Sequence, residues 1–216
     1  MKRAFFLVLV LLVVVVLLLA AGAELLARPV VERAIENRVD DRLDVASVDA
    51  RLGGFLVVPT VLATGQVSSL DVHLRGLVRP EVTVDSVHVR LFDIEVERGA
   101  LLDGDARLER VDRGEVEAEV TEADLQAAVP GGLAVLHLSP GRATVEVAGV
   151  TTEVGVSVAG GALRLDPGVV PPLTVSLPAD LFPCPLQGEV LEGRVRLWCT
   201  LDEMPDWIVQ EVNRSS

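Results

Sequence analysis

Val30–Leu52 reads VVERAIENRVDDRLDVASVDARL, and the spacing of its apolar residues changes partway along. Val31, Ile35, Val39 and Leu43 recur at every fourth position with Ala34 beside them, while Glu32, Arg33, Glu36, Asn37, Asp40 and Asp41 point elsewhere. This predicts one apolar stripe on an amphipathic helix of about fifteen residues. Pro29 suits its first position, where a missing N–H costs nothing. From Val45 the period becomes two, and Val45–Leu52 is a strand ended by Gly53-Gly54. The stripe has two readings: it packs on a sheet, or it also lines a lipid groove.

Upstream, Lys2 and Arg3 precede an unbroken apolar run, Ala4 to Ala23. Twenty residues at a helical rise span about 30 Å, the thickness of a bilayer core. The flanking charges place the N-terminus inside and the body outside. Length argues for a retained anchor; the Ala21-Gly22-Ala23 ending argues for signal cleavage. Either reading exports residues 24–216 as a single extracytoplasmic domain, after a signal or anchor over 1–23. The plasma membrane is then a partner through the N-terminal segment.

Downstream the chain is nearly all strands and turns. Phe55–Gly65 is apolar with Pro59 inside it, an irregular or edge segment or a short helix. Leu70, Val72 and Leu74 alternate with polar residues; so do Val82 and Val84, then Val87, Val89 and Leu91, then Ile94 and Val96. The phase slips at Ser86 and at Phe92, as β-bulges require, and bulges curve a sheet. Asp112-Arg113-Gly114 is expected to turn a hairpin between Ala106–Val111 and Val116–Val120. TEADLQAAV, from Thr121, opens like a capping box and predicts a short mid-chain helix stopped by Pro130-Gly131-Gly132. Strands over 133–138, 143–147, 151–158 and 194–201 follow, then a short tail helix from Glu203 to about Asn213 that carries Trp207. The fold class expected is α+β: a long N-terminal amphipathic helix packed on a curved, bulged antiparallel sheet.

Half of the 216 residues are hydrophobic but only 3% are aromatic, so the core is aliphatic. The formal charge of -13 excludes nucleic acid as a partner and gives no hold on anionic lipid surfaces. Lys2 is the sole lysine, a bias of GC-rich bacterial genomes. Cys184 and Cys199 are the two cysteines. In an exported body they fit a disulfide, with two buried thiols or a redox pair as alternatives.

No catalytic set emerges. His73, His88 and His137 lie in strands away from any triad pattern, and there is no G-x-S-x-G, H-E-x-x-H or phosphate-binding glycine loop. Asp103-Gly104-Asp105 reads as a turn rather than a D-x-D metal site, and two Cys with three scattered His make a metal centre poorly supported. No cofactor is implied, and an enzyme is disfavoured.

The helix VVERAIENRVDDRL, the strand VASVDARLGGF, the strand TVDSVHVRL, the segment RVDRGEVEAEVTEADLQAAV and the strand GRVRL together resemble a known family. It comprises the actinobacterial periplasmic phospholipid-binding proteins linked to lipomannan elongation, the LmeA-like family. The resemblance is strongest over Val30–Val129. It implies a curved antiparallel sheet around a long helix, in the style of tubular lipid-binding domains. It also implies a phospholipid or lipid-linked glycan as partner and a role in cell-envelope mannan biosynthesis. The candidate lipid-contacting residues are Val31, Ile35, Val39, Leu43, Phe55 and Leu74. The alternative is a non-catalytic envelope scaffold with a filled core and no ligand.

Overall fold

The computed structural model describes residues 29–30, 32–33, 35–37, 39–40, 43–54, 57–79, 82–99, 107–128, 134–147, 149–159, 162–166, 173–176, 182, 184–206, 209–210 and 213. Strands dominate them, in two antiparallel sheets. The first has six strands in the order β1 (Ser47–Gly53), β2 (Gln66–Val78), β3 (Thr83–Val96), β4 (Leu108–Thr121), β11 (Arg194–Leu201), β10 (Gln187–Leu191). The second is a meander of five: β5 (Ala134–Ser139), β6 (Arg142–Val147), β7 (Val150–Ala159), β8 (Ala162–Asp166), β9 (Leu173–Ser176).

Alternation sets the faces of the first sheet. Val116, Ala118 and Val120 of β4 and Val195, Leu197 and Cys199 of β11 are buried, while Glu115, Glu117, Glu119, Arg194 and Arg196 face away from them. These inward residues share one apolar cluster with Leu136, Leu138, Ala143, Val154 and Leu163 of the second sheet. Leu125, from the helix Glu122–Ala128, is fully buried in the same cluster. Two backbone bonds stitch the sheets at a corner: Gly141 N–H to Val190 O and Gly193 N–H to Leu138 O, each 3.2 Å. Cys184 is disulfide-bonded to Cys199, with Cα atoms 5.7 Å apart. A bridge over this separation restricts the unfolded chain by about 3 kcal/mol.

Both phase slips expected in β3 are present as changes in which side chains are buried, but not as bulges: the pairing register runs unbroken through Ser86 and Phe92, and the shift against β4 falls between Glu95 and Val96. Val84 and Val87 are both buried although three residues apart, and their partners Leu77 and Leu74 match them. Gly76, between those partners, takes φ +61°, a conformation that favours glycine. At the second slip Phe92 pairs with Ser69 and Arg113, and Ile94 pairs with Val67 and Val111. Asp93 stands between them at φ +50°, the one non-glycine residue with positive φ among the described residues.

Three expectations need correction. The molecule is mostly β rather than an α+β fold on a long helix, because its strands divide into two sheets and its helices are short. The described helical residues before β1 lie within 29–40. Sheet pairing captures the backbone soon afterwards: Asp44 O accepts from Val78 N–H at 2.9 Å, and Ala46 N–H donates to Arg75 O at 2.8 Å. Finally, Asp112-Arg113-Gly114 is not a turn. It lies inside the continuous β4, where Arg113 faces Phe92 and Gly114 lies between Leu91 and Leu201.

The apolar segment before Gly65 resolves as the helix Val57–Thr64, with Pro59 in its first turn. Capping at the mid-chain helix is as expected, with Asp124 N–H donating to Thr121 Oγ1 at 3.2 Å. In the tail, residues 206, 209, 210 and 213 are helical. Asn213 pins that tail to β4 through Leu108 N–H and Leu108 O, both 2.8 Å. The run Ala4–Ala23 lies outside the described residues. Among the described residues, no helix is long and apolar enough to cross a membrane.

Candidate functional site

β1 is an edge strand, paired only on its β2 side in the sheet order. An unpaired edge exposes backbone donors, and here the N-terminal helical residues satisfy two of them. Leu52 N–H donates to Glu32 Oε1 at 2.9 Å, and Ala50 N–H donates to Glu36 Oε1 at 3.1 Å. The match is geometric. Residues four apart on a helix advance about 6 Å, and alternate strand residues advance about 6.8 Å. Two acceptors on the polar face of the stripe-bearing helix therefore help to fasten it beside the sheet.

The structure places the candidate lipid residues unequally. Val39 and Leu43 are partly buried and pack against the core cluster. Ile35 is half-buried. Leu74, at 6% exposure, belongs to the core itself. Val31 and Phe55 lie outside the described residues. Three of the six thus meet in or against one apolar region, with Val45, Val48 and Val72 packed beside them.

Next to this seam lies a trough of about 690 Å³ of mixed character, lined by the polar β1 and β2 residues Asp49, Arg51, Asp71, His73 and Arg75, by apolar Val48 and Leu52, and by His88. A second hollow of about 250 Å³ shares His88 and extends across Arg90, Glu117, Arg196 and Trp198. Register brings these groups together. His73 is directly opposite His88 across the β2–β3 ladder, their ring centres 5.6 Å apart. His88 Nε2 is 2.8 Å from Asp71 Oδ1. Arg90 meets Glu115 at 2.9 Å, and Arg196 binds Glu117 and lies 3.6 Å from Glu189. The hydrogen bond to Glu117, and then that residue's charge, raise the pKa of Arg196 above its ordinary value. Exposed pairs of this kind contribute little stability each. Together they make a paired, charged floor that suits a polar headgroup better than an acyl chain.

Nothing in this trough forms a nucleophile–base pair. Among the described residues no group of three His, Cys, Asp or Glu is placed to hold a metal ion. Asp103, Asp105 and Trp207 lie outside the described residues. Sequence reading did not find the trough or the hollow beside it, because their members come from six strands and meet only through register. It did not find the Glu32 and Glu36 contacts either, since acceptors on the polar face of a helix look like solvated charge.

A family model described as LmeA-like phospholipid-binding matches residues 20–197. That range takes in the helical residues beside β1, all of the second sheet, and the first sheet as far as Leu197. No curated protein and no solved structure matches the chain.

Proposed function

The chain belongs to the LmeA-like phospholipid-binding family, and on that premise we propose that it is an exported, membrane-tethered phospholipid-binding protein. It supports cell-envelope mannan lipoglycan synthesis or lipid handling at the outer face of the plasma membrane, and it acts by binding rather than by catalysis. The family match carries this reading. The apolar run Ala4–Ala23 supports export and tethering, and the stripe supports the lipid site. In this account the acyl region contacts Val31, Ile35, Val39 and Leu43 with Phe55, where each buried methylene contributes about 0.8 kcal/mol. Leu74 belongs to the core cluster against which Val39 and Leu43 pack. The headgroup faces polar groups at the β1 edge.

A second reading is an envelope scaffold whose core is already filled. The burial of Leu74 and the packing of Val39 and Leu43 against the core favour it. Native mass spectrometry of the full chain released from membranes in mild detergent separates the two. The lipid-binding reading expects a phospholipid adduct that Ile35→Asp removes while the protein stays folded. Protein free of lipid in every preparation, including after incubation with phospholipid vesicles, sinks it.

A further inference from the structure

We propose that the end of the first sheet formed by the β1–β2 connection is the surface that meets a phospholipid bilayer, with the Val57–Thr64 helix seated at its interface. This deepens the phospholipid-binding reading and rests on it, since a protein that takes lipid from a membrane must present some face to that membrane. Charged residues make up 24% of the chain, yet none occurs from Leu52 to Leu70. The helix lies in the middle of this uncharged stretch, with no acid in its first turn and no base in its last. Val57 is rooted in the protein at 5% exposure, while Leu62 is 57% exposed and Ala63 beside it is exposed.

The helix is held firmly enough to present that face. Gly65 N–H donates to Val61 O, and Val96 N–H donates to Gly65 O, both at 2.8 Å. Gly65 takes φ +75°, and a Cβ there would stand 2.7 Å from Val96 O, so the hook that fixes the helix to β3 requires glycine. Arg98, an exposed residue, donates from Nη1 to Ala63 O at 3.0 Å. Its guanidinium therefore sits at the rim of the apolar tip, where the phosphates would lie if Leu62 entered the acyl boundary.

The number of residues between the apolar run and residue 29 points the same way. Glu32 is bonded to Leu52, at the end of β1 from which the connection leaves, and Val30 just before it is 62% exposed. Five residues separate Ala23 from Pro29, and they reach about 20 Å at most. A bilayer holding Ala4–Ala23 is therefore close to this end of the sheet. With a formal charge of -13 the body cannot rely on attraction to anionic lipid; a helix without charges of its own limits that repulsion at the tip, while Asp93, Glu95, Arg110 and Asp112 line a hollow on its Thr60 side. One exposed leucine is too little to hold an untethered protein, but on a tethered one it sets the orientation.

The test uses the full chain reconstituted into vesicles of phosphatidylcholine and phosphatidylglycerol. The native cysteines are disulfide-bonded, so Leu62→Cys or Ala63→Cys can be labelled alone with an environment-sensitive fluorophore. Val150→Cys, at a position 65% exposed on β7, is the control. The proposal expects blue-shifted emission at 62 and 63, quenching by lipids spin-labelled near the headgroup and protection from aqueous iodide, with the reverse at 150. Iodide quenching at 62 and 63 equal to that at 150 overturns it. Protection from iodide without spin-label quenching also overturns it and assigns the face to a protein partner. A phospholipid adduct with an aqueous Leu62 probe removes the docking face and leaves lipid binding standing; a membrane-buried probe without any adduct does the opposite.

Discussion

The same device closes the first edge of each sheet, with different depth. At β5, Glu122 Oε2 accepts from Leu138 N–H and Gln126 Oε1 accepts from Leu136 N–H, both at 2.6 Å. At β1, Glu32 and Glu36 accept from Leu52 and Ala50 in the same order. In both, side chains one helical turn apart read alternate donors of an antiparallel edge strand. The mid-chain helix adds a fully buried Leu125 and a capped N-terminus. The N-terminal helical residues add partly buried Val39 and Leu43 and a half-buried Ile35. One latch is part of the core. The other joins two side-chain acceptors on its polar side to partly buried contacts at Val39 and Leu43, and it leaves Ile35 half-buried.

Substitutions can break this comparison. Leu125→Ala should lower stability by about 3–4 kcal/mol, because it empties a closed site. Ile35→Ala, at a half-buried position, should cost about 1 kcal/mol. Chemical denaturation of both variants checks this, and equal losses would erase the distinction. Glu122→Ala strands the Leu138 donor and should cost about 2 kcal/mol, whereas Glu36→Ala at the looser edge should cost about 1 kcal/mol. Glu36→Gln should cost less still, because an amide oxygen serves the same role as at Gln126. Hydrogen exchange at Ala50 and Leu136 reads the two edges separately, and faster exchange at Ala50 is expected in the native protein. Arg142→Ala removes an exposed pair with Glu153 and should change stability by about 0.5 kcal/mol or less.

Much of this was legible in short stretches. The slips at Ser86 and Phe92, the capped helix after Thr121 and the strand Arg194–Leu201 are local patterns, and the structure contains them. The inward phase of Cys199 was legible for the same reason, and the residue is 1% exposed. What failed depends on distant partners. Gly114 beside Asp112 looks like a turn until β11 supplies Leu201 opposite it. That β11 returns to pair with β4, dividing the strands into two sheets, is invisible to periodicity, which fixes a strand's faces and not its neighbour. At β1 the described helical residues lie within 29–40, and Leu43, the last member of the four-residue spacing, donates its N–H to Val39 O at 3.0 Å. Pairing of residues 44 and 46 with β2 nevertheless ends the helix there. The apolar spacing of Val31, Ile35, Val39 and Leu43 is legible in the sequence, whereas the trough is not.

The most direct test of phospholipid contact at the looser latch is photocrosslinking of the full chain with a phospholipid carrying a diazirine on its acyl chain, followed by peptide mapping. The account predicts adducts concentrated on the peptide spanning residues 29–43 and lost in Ile35→Asp. Adducts confined to the second sheet, or none above the level of a non-binding control protein, would contradict it.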